Sequence, residues 1–229
     1  AAPPSPREPE GPPGERAPLP FVGRDAELAA LAGAAAAAAV AGDGRCARVV
    51  AITGEAGIGK SRLWREAARR LPEAALRAET RALESTRALP FVPIVDLLSR
   101  PVPFGRLLDR GSPLAAVWLA EVARLLPDVR LARPELPSPV ELPPEEERRR
   151  LFEALTQVLR AAGGQPLLVF VDDVHQADGT TLDWLGYAVH RLRDVPFLLV
   201  LAYRAAEASA PLEALVAGWE RDGIVLRLA

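Results

Sequence analysis

Four apolar runs punctuate the chain, and each is bounded by residues that interrupt regular structure. Arg48-Val49-Val50-Ala51-Ile52-Thr53 reads as a short buried strand. Leu167 to Val171 supplies five apolar residues in a row after Gly163-Gly164, the pattern of a central parallel strand covered on both faces. Val195 to Ala202 predicts a third strand, and Ile224-Val225-Leu226 a further one. Elsewhere the spacing turns helical. Ser61 to Leu71 puts Leu63, Ala67 and Leu71 on one face, and Pro72 stops it. An alanine-rich helix is expected from about Asp25 to Ala41, with Leu28 and Leu31 inward, Asp25 as its cap and Gly42-Asp43-Gly44 as its end.

The rest is less informative. Between Glu79 and Val140 the spacing predicts helices and no chemistry; Leu114 to Leu126 is amphipathic, with Trp118 on its core side. Glu145-Glu146-Glu147-Arg148-Arg149-Arg150 reads as a solvated helix start carrying i,i+3 ion pairs. Residues 1–20 hold eight prolines and almost no apolar periodicity, the composition of an extended linker, so a further domain is expected upstream. Residues 21–229 would then form the folded core. Strands alternating with helices predict a three-layer α/β sandwich around a mostly parallel sheet.

Composition narrows the options. Hydrophobic residues make up 49% of the chain, enough for a core, and a net charge of −2 offers no general basic field for nucleic acid. No apolar run approaches a membrane span. One cysteine and two histidines cannot build a zinc site of the usual kind, and lone Cys46 suits a reducing cytosol, so the expected location is cytoplasmic. The absence of Met, even as initiator, points to a segment of a longer protein.

The cations carry the first chemical signal. Lys60 is the single lysine beside 27 arginines. It sits in Gly54-Glu55-Ala56-Gly57-Ile58-Gly59-Lys60-Ser61, a match to the phosphate-loop pattern G-x-x-x-x-G-K-[ST]. This composition predicts roughly 0.0003 accidental matches in the whole chain. A compact ammonium on a flexible stem reaches bridging phosphate oxygens where a planar guanidinium fork would not fit. Strand, glycine loop and helix follow in the order such a loop needs. The loop amides and the helix N-terminus would face the β-phosphate, Lys60 would span the β- and γ-phosphates, and the Ser61 hydroxyl would ligate Mg²⁺.

A second signal closes the strand that ends in Asp172-Asp173. Carboxylates at the C-terminal tip of a strand lie where open α/β sheets bind ligands. Asp172 is placed to hold Mg²⁺, and Asp173 to orient or deprotonate an attacking water. Arg204, at the tip of the third strand, could sense the terminal phosphate. A guanine-reading Asn-Lys-x-Asp motif needs a second lysine, so a GTPase is disfavoured.

Five segments in this order, Phe21 to Leu28, the phosphate loop, Leu151-Phe152-Glu153-Ala154, Asp172 to Asp178 and Leu199 to Arg204, resemble the AAA-like ATPase domain of signal-transduction (STAND) ATPases. In particular the chain resembles the large ATP-binding bacterial transcriptional regulators of the LuxR type and relatives with a bacterial transcriptional activator domain. The resemblance covers about Leu19 to Leu228. It implies an AAA-like P-loop fold, ATP and Mg²⁺ as ligands, Val22 and Arg24 against adenine and ribose, and a structural capping role for His175. Gln176 stands where the family usually has Trp. Asp173 stands where vigorous AAA enzymes carry Glu, which fits a slow switch better than a motor. Implied partners are ATP and ADP, the flanking domains of the same protein and further copies of the chain, with DNA reached only through domains outside this segment. The alternatives are a P-loop small-molecule kinase, which needs an acceptor pocket with catalytic basic residues, and a nucleotide-binding scaffold that never hydrolyses.

Overall fold

The computed structural model describes residues 21–39, 47–108, 110–162 and 164–229. The proline-rich residues 1–20, Gly42-Asp43-Gly44 and Cys46 lie outside the described residues.

Among the described residues five strands form one parallel sheet: β1 (Arg48–Thr53), β2 (Leu76–Arg81), β3 (Leu167–Asp172), β4 (Phe197–Tyr203) and β5 (Val225–Leu228). Their order is β2-β3-β4-β1-β5. The helices are α1 (Asp25–Ala39), α2 (Lys60–Arg70), α3 (Val92–Leu98), the short α4 (Arg106–Leu108), α5 (Ala116–Val122), α6 (Pro127–Ala132), α7 (Pro144–Ala162), α8 (Gly179–Arg191) and α9 (Ala210–Arg221). The fold is a three-layer α/β sandwich with helices on both faces of the sheet.

Strand alternation divides the core into two halves. Val49, Ala51, Leu167, Val169, Val171, Leu199 and Leu201 point to one side, into a cluster that also holds Ile94, Leu119, Phe152, Leu155, Leu185 and Trp219. The intervening Val50, Ile52, Leu168, Phe170, Leu198 and Val200 point to the other, against Leu28 and Leu31 of α1 and Leu63, Trp64 and Ala67 of α2. A strand read on both faces has no polar position to spare, which is why β3 is apolar up to its terminal Asp172 and β4 is buried throughout. On the α2 side Trp64 stacks on Phe170, ring centroids 5.2 Å apart, and its Nε1 donates to Glu79 at 2.7 Å. That pair fixes α2, and with it the loop that precedes α2, against β3.

The structure departs from the sequence reading at four places. β2 runs into the region expected to be helical from Glu79 onward: Ala78 and Thr80 are buried, while Glu79 and Arg81 are exposed. Its inward side carries one large apolar residue, the partly buried Leu76, beside Ala78 and Thr80, so an edge strand left little apolar signal. Asp25 is the first residue of α1, not the residue before it. The amphipathic stretch from Leu114 shrinks to the seven residues of α5, and Trp118 packs half-buried against the larger cluster. The charged start of α7 makes tertiary ion pairs, not the expected i,i+3 ones. Glu147 pairs with Arg124, Arg150 with buried Glu121, and Arg148 with Asp183.

Candidate functional site

The loop between β1 and α2 is shaped by glycine. A side chain on Gly54 would stand 3.0 Å from Ile58 Cγ2, and its φ of 148° is in any case strained for other residues. Gly59 precedes α2 with φ 97° and ψ 22°, a left-handed turn that aims the first amides of the helix back across the loop. The first turn of a helix has no intrahelical acceptors for those amides. The bend therefore presents donors and a partial positive charge to one spot.

Lys60 is 7% exposed and folded into this loop, donating from Nζ to the carbonyls of Gly54 at 2.8 Å and Glu55 at 2.9 Å. Its charge rests on neutral acceptors alone, so an anion in the loop can displace either contact. Beside it the Ser61 hydroxyl donates to Asp172 Oδ2 at 2.6 Å, joining residues 111 positions apart. A hydroxyl and a carboxylate are hard oxygen donors, the set a Mg²⁺ ion takes when substrate phosphates and water complete its shell. Among the described residues no group of three or more His, Cys, Asp or Glu could hold a metal by itself. The donors at hand thus fit a cation that arrives with a phosphate ligand.

Asp173 has φ 49° and ψ 40°, so the chain turns at the tip of β3 into a 3₁₀ turn, Val174–Gln176. Aspartate tolerates that left-handed conformation better than most residues. Arg81 of β2 holds the Asp173 carboxylate, donating to Oδ2 from Nε at 2.9 Å and Nη2 at 2.6 Å. That bond pushes the Arg81 guanidinium further above its ordinary range. Arg81 pairs in register with Asp172, so both follow from the β2–β3 ladder.

Ala56, Gly57, Gly59, Lys60, Ser61, Asp172, Asp173 and Arg204 line one cavity of about 200 Å³, together with Arg62 and Arg81. Four cations face two carboxylates there, a balance that favours a polyanion. Gly54, Glu55 and Ile58 belong to the same loop without lining the cavity. Arg24 reaches the loop from just before α1, its Nη2 donating to the Ile58 carbonyl at 3.3 Å. Phe21 lies over the Arg62 guanidinium, 5.6 Å from ring centroid to Cζ. Val22, between them, is 78% exposed. The larger hollows of the surface lie away from the strand tips, among α5, α7 and α8. They follow helix packing and do not meet the phosphate loop.

Arg62 and Arg81 are absent from the residues that the sequence suggested. Arg62 follows the loop motif directly and could have been included. Arg81 could have been found only by recognising β2 from the alternation Ala78-Glu79-Thr80-Arg81. His175, expected to cap structure, is 2% exposed and has Nε2 3.2 Å from Glu207 Oε2.

A family model described as AAA ATPase domain matches residues 20–201. Over 186 residues the chain is 33% identical to an uncharacterized protein of Rhizobium meliloti (strain 1021), a match that takes in 72% of this chain and 17% of that protein. The chain therefore spans about a sixth of the length of this relative. Among solved structures, a chain of the structure of Drosophila ORC bound to AT-rich DNA and Cdc6 aligns with a TM-score of 0.41 and 9% identity, covering 90% of this chain and 57% of that one.

Proposed function

Since the chain belongs to the AAA ATPase domain family, we propose that it binds Mg-ATP at the phosphate loop and hydrolyses it slowly, as the switch module of a larger regulatory protein. The observation that carries this reading is the convergence of Lys60, Ser61 and Asp172 on one cavity, through a hydrogen bond between two segments 111 residues apart. In the proposed complex Lys60 exchanges its two loop carbonyls for phosphate oxygens. The amides at the start of α2 hold the β-phosphate, while Ser61 and Asp172 hold the cation. Held there by Ser61 and Asp172, Mg²⁺ would supply charge neutralisation for the phosphates. Asp173 aligns the attacking water, and Arg204 contacts the terminal phosphate. Arg24 and the exposed Val22 stand at the loop's outer edge, where adenine and ribose would lie.

Two features support slow turnover. Asp173 is one methylene shorter than Glu, and Arg81 occupies its carboxylate. ATP and ADP would then favour different arrangements of the flanking domains, which fits a role in signal transduction or transcription regulation. In this reading the protein is cytoplasmic, acts with neighbouring domains or further copies of itself, and touches DNA only through domains outside this segment. The same Arg81–Asp173 pair also favours a second reading, a scaffold that binds nucleotide without hydrolysis.

Calorimetric titration with a non-hydrolysable ATP analogue tests binding. Lys60→Ala should weaken it by about tenfold to a hundredfold, the scale of hydrogen bonds to a charged group. Equal affinity in parent and variant would remove the phosphate-binding assignment. Single-turnover hydrolysis by the parent then separates the ATPase from the scaffold.

A further inference from the structure

The tips of β3 and β4 are tied together by a chain of three side chains outside the phosphate loop. Arg204 lines the cavity, and its Nη1 donates to Glu207 Oε1 at 2.6 Å. The other oxygen of the same carboxylate, Oε2, lies 3.2 Å from His175 Nε2. The His175 side chain is 1% exposed, whereas those of Arg204 and Glu207 are 34% and 44% exposed. One carboxylate thus bridges a buried ring and an arginine that faces the cavity.

The backbone explains why these three meet. β3 leads through Asp173 into the 3₁₀ turn Val174–Gln176, and β4 leads through Arg204 into the 3₁₀ turn Ala205–Glu207. The strands are parallel neighbours, so two matching turns emerge side by side at the same end of the sheet. In the second turn Arg204 and Glu207 stand three residues apart, which puts their side chains on the same side.

We propose that Glu207 and His175 are positioning residues that hold Arg204 ready for the terminal phosphate of the nucleotide, a role that rests on the Mg-ATP reading above. A free arginine side chain samples many rotamers, and ordering it costs entropy. Glu207 removes much of that freedom while engaging only Nη1. The fork keeps further N–H groups to offer an anion. His175 does the same for Glu207 one step further back. Its ring nitrogens have no well-directed hydrogen bond among the described residues, so the carboxylate oxygen at 3.2 Å is the acceptor in reach. The hydrogen bond from Arg204 also holds the Glu207 carboxyl below its usual range. The result is discrimination: ATP carries the phosphate that Arg204 meets and ADP does not.

The test is the ratio of ATP to ADP affinities, measured by titration with Mg-ADP and a non-hydrolysable Mg-ATP analogue. Arg204→Ala should lower the ATP preference by about tenfold, the scale of a charge-assisted hydrogen bond. Glu207→Ala should lower it by about half of that on a logarithmic scale, leaving ADP affinity unchanged. Glu207→Gln, which can still accept from Arg204, should recover most of the loss. The double variant Arg204→Ala/Glu207→Ala should match Arg204→Ala alone, because Glu207 acts through Arg204. His175→Leu should reproduce Glu207→Ala; if it does not fold, the Glu207 pair carries the test alone. An unchanged ratio in Glu207→Ala overturns the proposal, and so does additivity in the double variant. Tighter ATP binding in Glu207→Ala also overturns it, since Glu207 would then compete with phosphate for Arg204. If the parent itself fails to bind Mg-ATP, or Lys60→Ala binds it equally well, the nucleotide reading fails instead.

Discussion

Arg81 and Asp173 meet across 92 residues of sequence, both nitrogens of the guanidinium edge directed at a single carboxylate oxygen. Arg81 ends β2 and Asp173 directly follows the last residue of β3, and the two strands are hydrogen-bonded neighbours, so the β2–β3 ladder brings the pair together. It places a cation on the carboxylate that the proposed hydrolysis needs free. Arg81 is 62% exposed, which keeps the pair weak and easily exchanged.

Arg81→Gln should therefore raise single-turnover hydrolysis, by up to about fivefold given the strength of an exposed ion pair. ATP affinity should fall slightly, because one cation leaves the cavity. A variant slower than the parent would show that Arg81 assists the reaction, and the restraint assigned to it would be withdrawn.

The two strand-tip aspartates should separate in function. Asp172→Asn removes the charged oxygen beside Ser61, so Mg²⁺-dependent affinity should drop while metal-free binding changes little. Asp173→Asn should leave affinity nearly intact and cut turnover, whereas Asp173→Glu should raise it if reach limits the rate. Titrations with and without Mg²⁺, combined with one hydrolysis assay on all three variants, decide this. Affinity and turnover unchanged in both Asn variants would reduce the pair to an ordinary strand end.

Base preference follows from the single lysine. Without a second one for a guanine-reading contact, adenine nucleotides should outcompete guanine ones. The margin should be modest, since Val22 offers the base only apolar surface and backbone, and the Arg24 guanidinium already donates to the Ile58 carbonyl. Competition of GTP against a labelled ATP analogue measures this, and equal inhibition by the two would sink the claim.

Trp64 should be the most costly single truncation near the site. It is fully buried, stacks on Phe170 and donates to Glu79, so Trp64→Ala should destabilise by about 3–5 kcal/mol. Trp64→Phe keeps the stack and leaves the Glu79 oxygen without its donor, for a loss of about 1–3 kcal/mol. Denaturant unfolding monitors both. Similar losses in the two variants would mean that the hydrogen bond, not the packing, secures α2.

Local codes are what the sequence by itself determined. The glycine loop was legible because backbone turns such as those at Gly54 and Gly59 tolerate almost no other residue. β1, β3 and β4 were legible because strands buried on both faces admit only apolar side chains. Asp172-Asp173 stood out as charge at the end of such a run. Tertiary structure decided the rest. β2 is an edge strand whose inward side holds only Leu76, Ala78 and Thr80, so its ladder with β3, not its composition, makes it a strand. That ladder alone brings Arg81 to Asp173. The ion pairs of Glu147 and Arg150 likewise went to α5 and its flank, because packing α7 on α5 offers partners that the isolated helix lacks. The link from His175 through Glu207 to Arg204 needs two parallel strands to end side by side. Spacing along one segment predicts what that segment does with its own backbone; which side chains meet across segments is set only when the sheet order and register exist.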